Sequence, residues 1–180
     1  MAKLFNKKFR IASARCPNWD YGSKGAYFIT ICTKNRIQYF GKIENHKMKL
    51  NHVGKIAEEC WQDLPHHFPN IQIDAFVIMP DHIHGIIIIL RNISHSKRNI
   101  AHKEAMGPNV FMSAISPKPG TISTMVRSYK SACTMHINQS TPAFRFSWQP
   151  GYYDIIIRDL RSLERIRRYI SLNPKHWKDR

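Results

Sequence analysis

Acidic side chains are scarce in this 180-residue chain: 12 Asp and Glu stand against 28 Lys and Arg, a net charge of +16. A field of that sign and size favours a polyanion, nucleic acid well before an anionic membrane. Long apolar runs are absent. None reaches the roughly 18 residues that a membrane-spanning helix needs. The opening MAKLFNKKFRIASARCP carries charges but no continuous apolar segment, so it is not expected to be a signal peptide. Cysteine is sparse and scattered, at Cys16, Cys32, Cys60 and Cys133 with no CxxC pair. That spacing argues against a zinc ribbon and a disulfide framework, and for reduced thiols in a cytoplasm. No internal repeat is visible. What remains is 43% hydrophobic, enough for the core of one domain over residues 1–180 with one long insertion.

Along the chain, AYFITICT (26–33) reads as a β-branched and aromatic strand, and IQYFGKI with KMKL as a small hairpin around ENH. A helix is predicted from an Asn51 cap, with Val53, Ile56, Ala57, Cys60, Trp61 and Leu64 on one face. IQIDAFVIM (71–79) and HIHGIIIIL (82–90) form antiparallel strands about a tight Pro80-Asp81 turn. From Arg91 to about Gly120 the periodicity dissolves into a long, mobile loop. Thr121 caps a second helix whose face carries Ile122, Met125, Val126, Tyr129, Cys133, His136 and Ile137. FRFSW and YYDIII supply the fourth strand region. A last helix starts at Asp159, buries Leu160, Leu163, Ile166 and Ile170, and stops at Asn173-Pro174. The order β-α-β-β-α-β plus a terminal helix predicts an α+β, ferredoxin-like split βαβ fold: an antiparallel sheet with helices on one face.

The stretch FVIMPDHIHGIIII places His82 and His84 in an otherwise apolar strand. Positions i and i+2 of a strand share a side, so the two imidazoles converge as half of a divalent metal site. Buried imidazole needs a partner: a metal, a carboxylate or an anionic ligand would each suffice. On the last helix, Tyr169 and Asn173 are four apart and stack on one face. Asn173 offers a hard carbonyl oxygen able to complete a magnesium or manganese site. Arg158, Arg161, Arg165 and Arg168 form a cationic ridge, and Arg127 and Lys130 complete the candidate DNA-binding set.

FVIMPDHIHGIII, WQPGYYDIIIRD and RIRRYISLNP, with AYFITICTKNR and GKIAEECWQDLPHHFPN, resemble the REP-associated tyrosine transposases. The resemblance covers roughly residues 18–90 and 120–177. These proteins belong to the HUH superfamily, named for its histidine–hydrophobic–histidine motif. The resemblance implies a ferredoxin-like domain that nicks and joins single-stranded DNA at hairpins. It implies that His82 and His84 bind a divalent ion and that Tyr169 is the nucleophile, with Asn173 where relatives place an amide ligand. Relatives commonly have histidine where this chain has Ile155, and often asparagine at Asp81. Tyr152 and Tyr153 are the runner-up nucleophiles.

The expected function is therefore a metal-dependent, single-stranded DNA transesterase, with magnesium or manganese as cofactor and hairpin or palindromic DNA as partner. A homodimer is compatible with the sequence, and no membrane partner is expected. The rivals are a catalytically silent hairpin-binding protein and a ferredoxin-like RNA-binding module. An RNA-recognition sheet would show exposed aromatics in an RNP-like pattern, and none is found.

Overall fold

The computed structural model describes residue 16 and residues 19–91, 118–142 and 144–178. Residues 92–117, the body of the expected loop, and the N-terminal segment through residue 15 lie outside the described residues.

Strand β1 (Gly25–Cys32) is the hub of a four-stranded antiparallel sheet. It pairs on one side with β5 (His82–Ile89) and on the other with β6 (Tyr153–Ile157). β4 (Ile71–Met79) pairs with the far side of β5 through the two-residue turn at Pro80-Asp81, so the order is β4-β5-β1-β6. This is the expected ferredoxin-like arrangement, with the two middle strands the most apolar. A separate hairpin joins β2 (Gly41–Glu44) to β3 (Lys47–Leu50). Its turn residues Asn45 and His46 both have positive φ, at 50° and 62°, the twist a two-residue hairpin requires.

The helices start where expected. Asn51 Oδ1 accepts from the Gly54 N–H at 2.9 Å to cap α1 (His52–Gln62). Thr121 caps α3 (Ile122–Ser140), and Asp159 Oδ1 accepts from Ser162 N–H at 2.8 Å to cap α4 (Leu160–Leu172). A short helix α2 (Leu64–His67) follows α1.

The sheet's alternation divides the apolar residues between two faces. Tyr27, Ile29 and Ile31 of β1 and Ile83, Ile87 and Ile89 of β5 pack beneath α1 and α3, around Trp61 and Tyr129. Gly85 makes room there: a Cβ at this position would collide with the Trp61 indole. Tyr129 also donates its hydroxyl to Ala57 O at 3.0 Å, tying α3 to α1. On the reverse face Phe28, Ile86 and Ile157 receive Ile170 of α4, with Leu163 and Ile166 beside it. Arg167 fastens α4 to β4 through Asp74, at 2.7 Å. Asp74 lies in the register shift between Ile73 and Phe76.

Four expectations are corrected. Residues 37–40 are not strand; a 3-10 turn (Lys34–Arg36) and irregular chain precede β2. FRFSW is not strand either, apart from one bridge between Trp148 and Thr33. Its Phe146 and Trp148 rings pack on Phe40, and the Phe146 N–H bonds to the Asn138 side chain instead of a ladder. Leu160 is 79% exposed, because as the first residue of α4 it points about 80° away from the stripe centred on Ile170. His136 is exposed at the edge of its helix face.

Candidate active site

The pleat that sends Ile83 and Gly85 toward Trp61 sends His82 and His84 to the α4 face, where both are buried. β1 and β5 are in register with Thr30 opposite His84 and Cys32 opposite His82. Each ring is held from behind. His82 Nδ1 stands 2.6 Å from Asp81 Oδ1; an ionised carboxylate only accepts, so Nδ1 carries the proton. His84 Nδ1 lies 2.8 Å from Thr30 Oγ1. Phe28 stacks on His84 at 5.2 Å between centroids, and Trp177 stacks on His82 at 5.9 Å.

In front, the two Nε2 atoms face one another at 3.0 Å. The Tyr169 hydroxyl lies 3.2 Å from His84 Nε2. α4 supplies that phenol from the flank of its buried stripe, so Tyr169 is 50% exposed although the next residue, Ile170, is in the core. Four positions on, Asn173 caps the helix C-terminus. His82, His84, Tyr169 and Asn173 therefore line one cavity of about 480 Å³, together with Thr30, Arg36, His176, Trp177 and Lys178. All four residues singled out for metal and nucleophile meet there.

Burial, then the neighbouring His82 and Arg36 charges, push the His84 imidazole down to about 3. His84 is thus neutral at pH 7. If it accepts from Tyr169, its Nδ1–H donates to Thr30, and both Nε2 atoms turn lone pairs toward each other. Lone pairs at 3.0 Å repel unless a proton or a cation lies between them. Two imidazole nitrogens bound at 2.0–2.1 Å on adjacent octahedral positions stand about 3 Å apart. The donor set thus fits a divalent ion held by His82 and His84, with Asn173 on the same cavity wall. The outer partners Asp81 and Thr30 are of the kind that orient metal-binding histidines. No cluster of three or more His, Cys, Asp and Glu able to hold a metal occurs among the described residues.

The candidate cations divide. Arg161, Arg165 and Arg168 are exposed on α4. Arg165 also lines a second cavity of about 640 Å³ with Arg158, Ile155 and Ile166, which shares Tyr169 and His84 with the first. Arg158 precedes the helix, its guanidinium 5.9 Å from the Trp19 ring centroid. Arg127 and Lys130 sit on α3, across the sheet from the histidines. Arg127 is exposed, whereas Lys130 Nζ donates to Gln149 O and Gly151 O at 2.6 and 2.9 Å. Tyr152 packs toward the α1/α3 core with its hydroxyl 3.0 Å from Ser123 Oγ. Neither Tyr152 nor Tyr153 lines the cavity of the histidines.

Sequence reasoning missed Arg36, Asp81 and Trp177 as site residues. Arg36 meets Asp81 only through a long-range ion pair, and no periodicity marks it; only Asn35, a residue tolerant of left-handed backbone, hinted at a special turn.

The fold is that of the tyrosine transposases. A solved structure of a REP-associated tyrosine transposase bound to a REP hairpin matches this chain with a TM-score of 0.56, covering 89% of this chain and 73% of that one. At 17% identity that match speaks for the fold. In sequence, the chain belongs to the family of an uncharacterized protein of Haemophilus influenzae, 39% identical over 168 residues, 92% of this chain and 88% of that one. No family model matches the chain. No helix among the described residues is long and apolar enough to cross a membrane.

Proposed function

We propose that this chain is a metal-dependent transposase-type transesterase that nicks and rejoins single-stranded, hairpin-flanked DNA through a covalent phosphotyrosine. The observation that carries this reading is the Tyr169 hydroxyl 3.2 Å from His84 Nε2, which itself faces His82 Nε2 at 3.0 Å. The solved neighbour with this fold holds a REP hairpin, which supports hairpin DNA as the substrate here. The +16 charge and the exposed arginines of α4 support a polyanionic partner.

His82 and His84 would hold a magnesium or manganese ion, with Asn173 as a third, neutral ligand. A bound ion of this kind polarises a phosphoryl oxygen and stabilises the charge that develops on it. The chain's own residues do the rest. Tyr169, free to approach from the exposed side, presents its phenol oxygen to phosphorus. With its Nδ1 turned to Thr30 and its Nε2 lone pair given to the ion, His84 would act as a ligand and not as the base that strips the phenol's proton. The Tyr169 oxygen forms a bond to phosphorus and releases its proton to solvent as the bond to the DNA 3′-oxygen breaks, and that oxygen takes up a proton from solvent. The product is again a phosphodiester, so a 3′-hydroxyl can reverse the step without ATP.

A catalytically silent hairpin-binding protein is the second reading. It is favoured by Ile155, which lines the cavity beside Tyr169 with a side chain unable to carry a proton. Incubation with labelled hairpin-flanked single strands separates the two. The first reading expects a protein–DNA adduct, resistant to denaturant, in magnesium or manganese and none in EDTA. Binding without any adduct supports the second.

A further inference from the structure

We propose that Arg36 is a catalytic residue that grips the scissile phosphate, and that Asp81 is a carboxylate because it must position both Arg36 and His82. The inference rests on the transesterase reading of the cavity and names the group that meets the substrate's charge.

Asn35 and Arg36 have consecutive positive φ values of 54° and 57°, a conformation unfavourable for side chains with a Cβ. The turn is nonetheless stitched to the histidine strand. Thr33 N–H and the Thr33 hydroxyl both donate to Asp81 O, each at 2.9 Å. This fixes the Arg36 guanidinium against the turn that launches His82. Its buried Nε is ion-paired 2.9 Å from Asp81 Oδ2 without an aligned hydrogen bond, while Asp81 Oδ1 accepts from His82 Nδ1 at 2.6 Å. One carboxylate thus holds two groups, the imidazole by a hydrogen bond and the guanidinium by charge. An asparagine here offers a single acceptor, and its amide N–H₂ would oppose either the imidazole N–H or the guanidinium.

The far end of Arg36 is less committed. Nη1 stands 2.8 Å from Cys32 Sγ, and Nη2 has no hydrogen-bond partner among the described residues. The side chain is 32% exposed although Nε is buried, and Arg36 lines the cavity of Tyr169. Lys178 and His176 line it too, and no acidic side chain among the described residues does. A planar guanidinium held beside Asp81 by charge, with its donors left over toward the cavity, suits a tetrahedral phosphate. As the Tyr169 oxygen bonds to phosphorus and the 3′-oxygen leaves, negative charge grows on the non-bridging oxygens. Arg36 donates to one of them.

The test compares wild-type protein with Arg36→Gln and Arg36→Lys, each shown folded by thermal melting. Single-turnover adduct formation on hairpin-flanked strands should slow by about a hundredfold or more in Arg36→Gln, with partial recovery in Arg36→Lys. Strand affinity and manganese affinity should stay within about threefold. A loss of manganese affinity that accounts for the slower rate would overturn the proposal, since Arg36 would then act only through Asp81 and His82. So would an unchanged rate. A second arm needs no turnover: metal-free protein is titrated with inorganic phosphate while the arginine Nε–H and histidine ring signals are followed by NMR. Saturable shifts at Arg36 and His84, the His84 shift being lost in Arg36→Gln, support the proposal. Absence of any saturable shift at Arg36 in the wild type contradicts it. Should no strand form an adduct with wild-type protein, the transesterase reading fails, and the phosphate titration still decides Arg36.

Discussion

On the α1/α3 face of the sheet, β5 contributes Ile83, Ile87 and Ile89 to a continuous apolar core built over Trp61 and Tyr129. On the α4 face the same strand contributes Ile86 to a much smaller cluster, then changes to His84 and His82 toward the Pro80-Asp81 turn. One face is closed by two helices and is apolar throughout. The other is closed only at its apolar end, by a single helix whose exposed flank carries Tyr169. The division shows how a stable domain can carry two buried histidines. Stability is concentrated on one side of the sheet, so the other can leave a polar cavity open to a substrate.

Substitutions on the two faces should therefore separate stability from chemistry. The largest expected loss of stability is Trp61→Ala, about 3–5 kcal/mol, because it empties the centre of the larger core. Chemical denaturation checks it, and a loss under about 1 kcal/mol would mean that the α1/α3 face does not hold the domain. Ile170→Ala removes the one fully buried residue of α4 and should cost about 2–4 kcal/mol. It should also slow adduct formation, since Tyr169 rides on the same turn.

A smaller effect follows from His84. Its imidazole is held at about 3 by burial and by the His82 and Arg36 charges, whereas an unfolded histidine titrates near 6.5. Below that value the unfolded chain takes up the proton first. The contribution is fully present above about pH 6.5 and is lost as the pH falls toward 3, at up to about 1.4 kcal/mol per pH unit. His84→Gln should flatten the acid limb of stability against pH; an unaltered limb would mean that His84 is protonated in the folded protein. The smallest effect concerns the exposed α4 arginines. Arg161→Ala with Arg165→Ala should reduce the salt dependence of hairpin-strand binding by a log–log slope of about 1–1.5. An unchanged slope would put the DNA on another surface.

The antiparallel sheet, its β4–β5 pair and the three helix starts were legible because each has a local signature: β-branched alternation, Asn51, Thr121 and Asp159 before apolar periodicity. FRFSW carries the alternation of a strand, but its aromatics are consumed by a cluster with Phe40 and its backbone by Asn138. Tyr169 and Asn173 were legible as one helix face, and His82 and His84 as one strand face. Arg36 was not, because what brings it to the cavity is a left-handed turn and a long-range pair with Asp81. Lys130 reads as a surface cation, but carbonyls 19 and 21 residues away take its protons.

The central claim is that Tyr169, presented beside the histidine pair, is the nucleophile. The most direct measurement is to trap the adduct on hairpin-flanked single strands in manganese, digest it, and locate the phosphotyrosine by mass spectrometry. The account predicts that it lies in the peptide containing RRYISLNP, and that Tyr169→Phe abolishes the adduct while leaving folding and strand binding intact. A phosphotyrosine in PGYYDIII, at Tyr152 or Tyr153, or an adduct that persists in Tyr169→Phe, would contradict it.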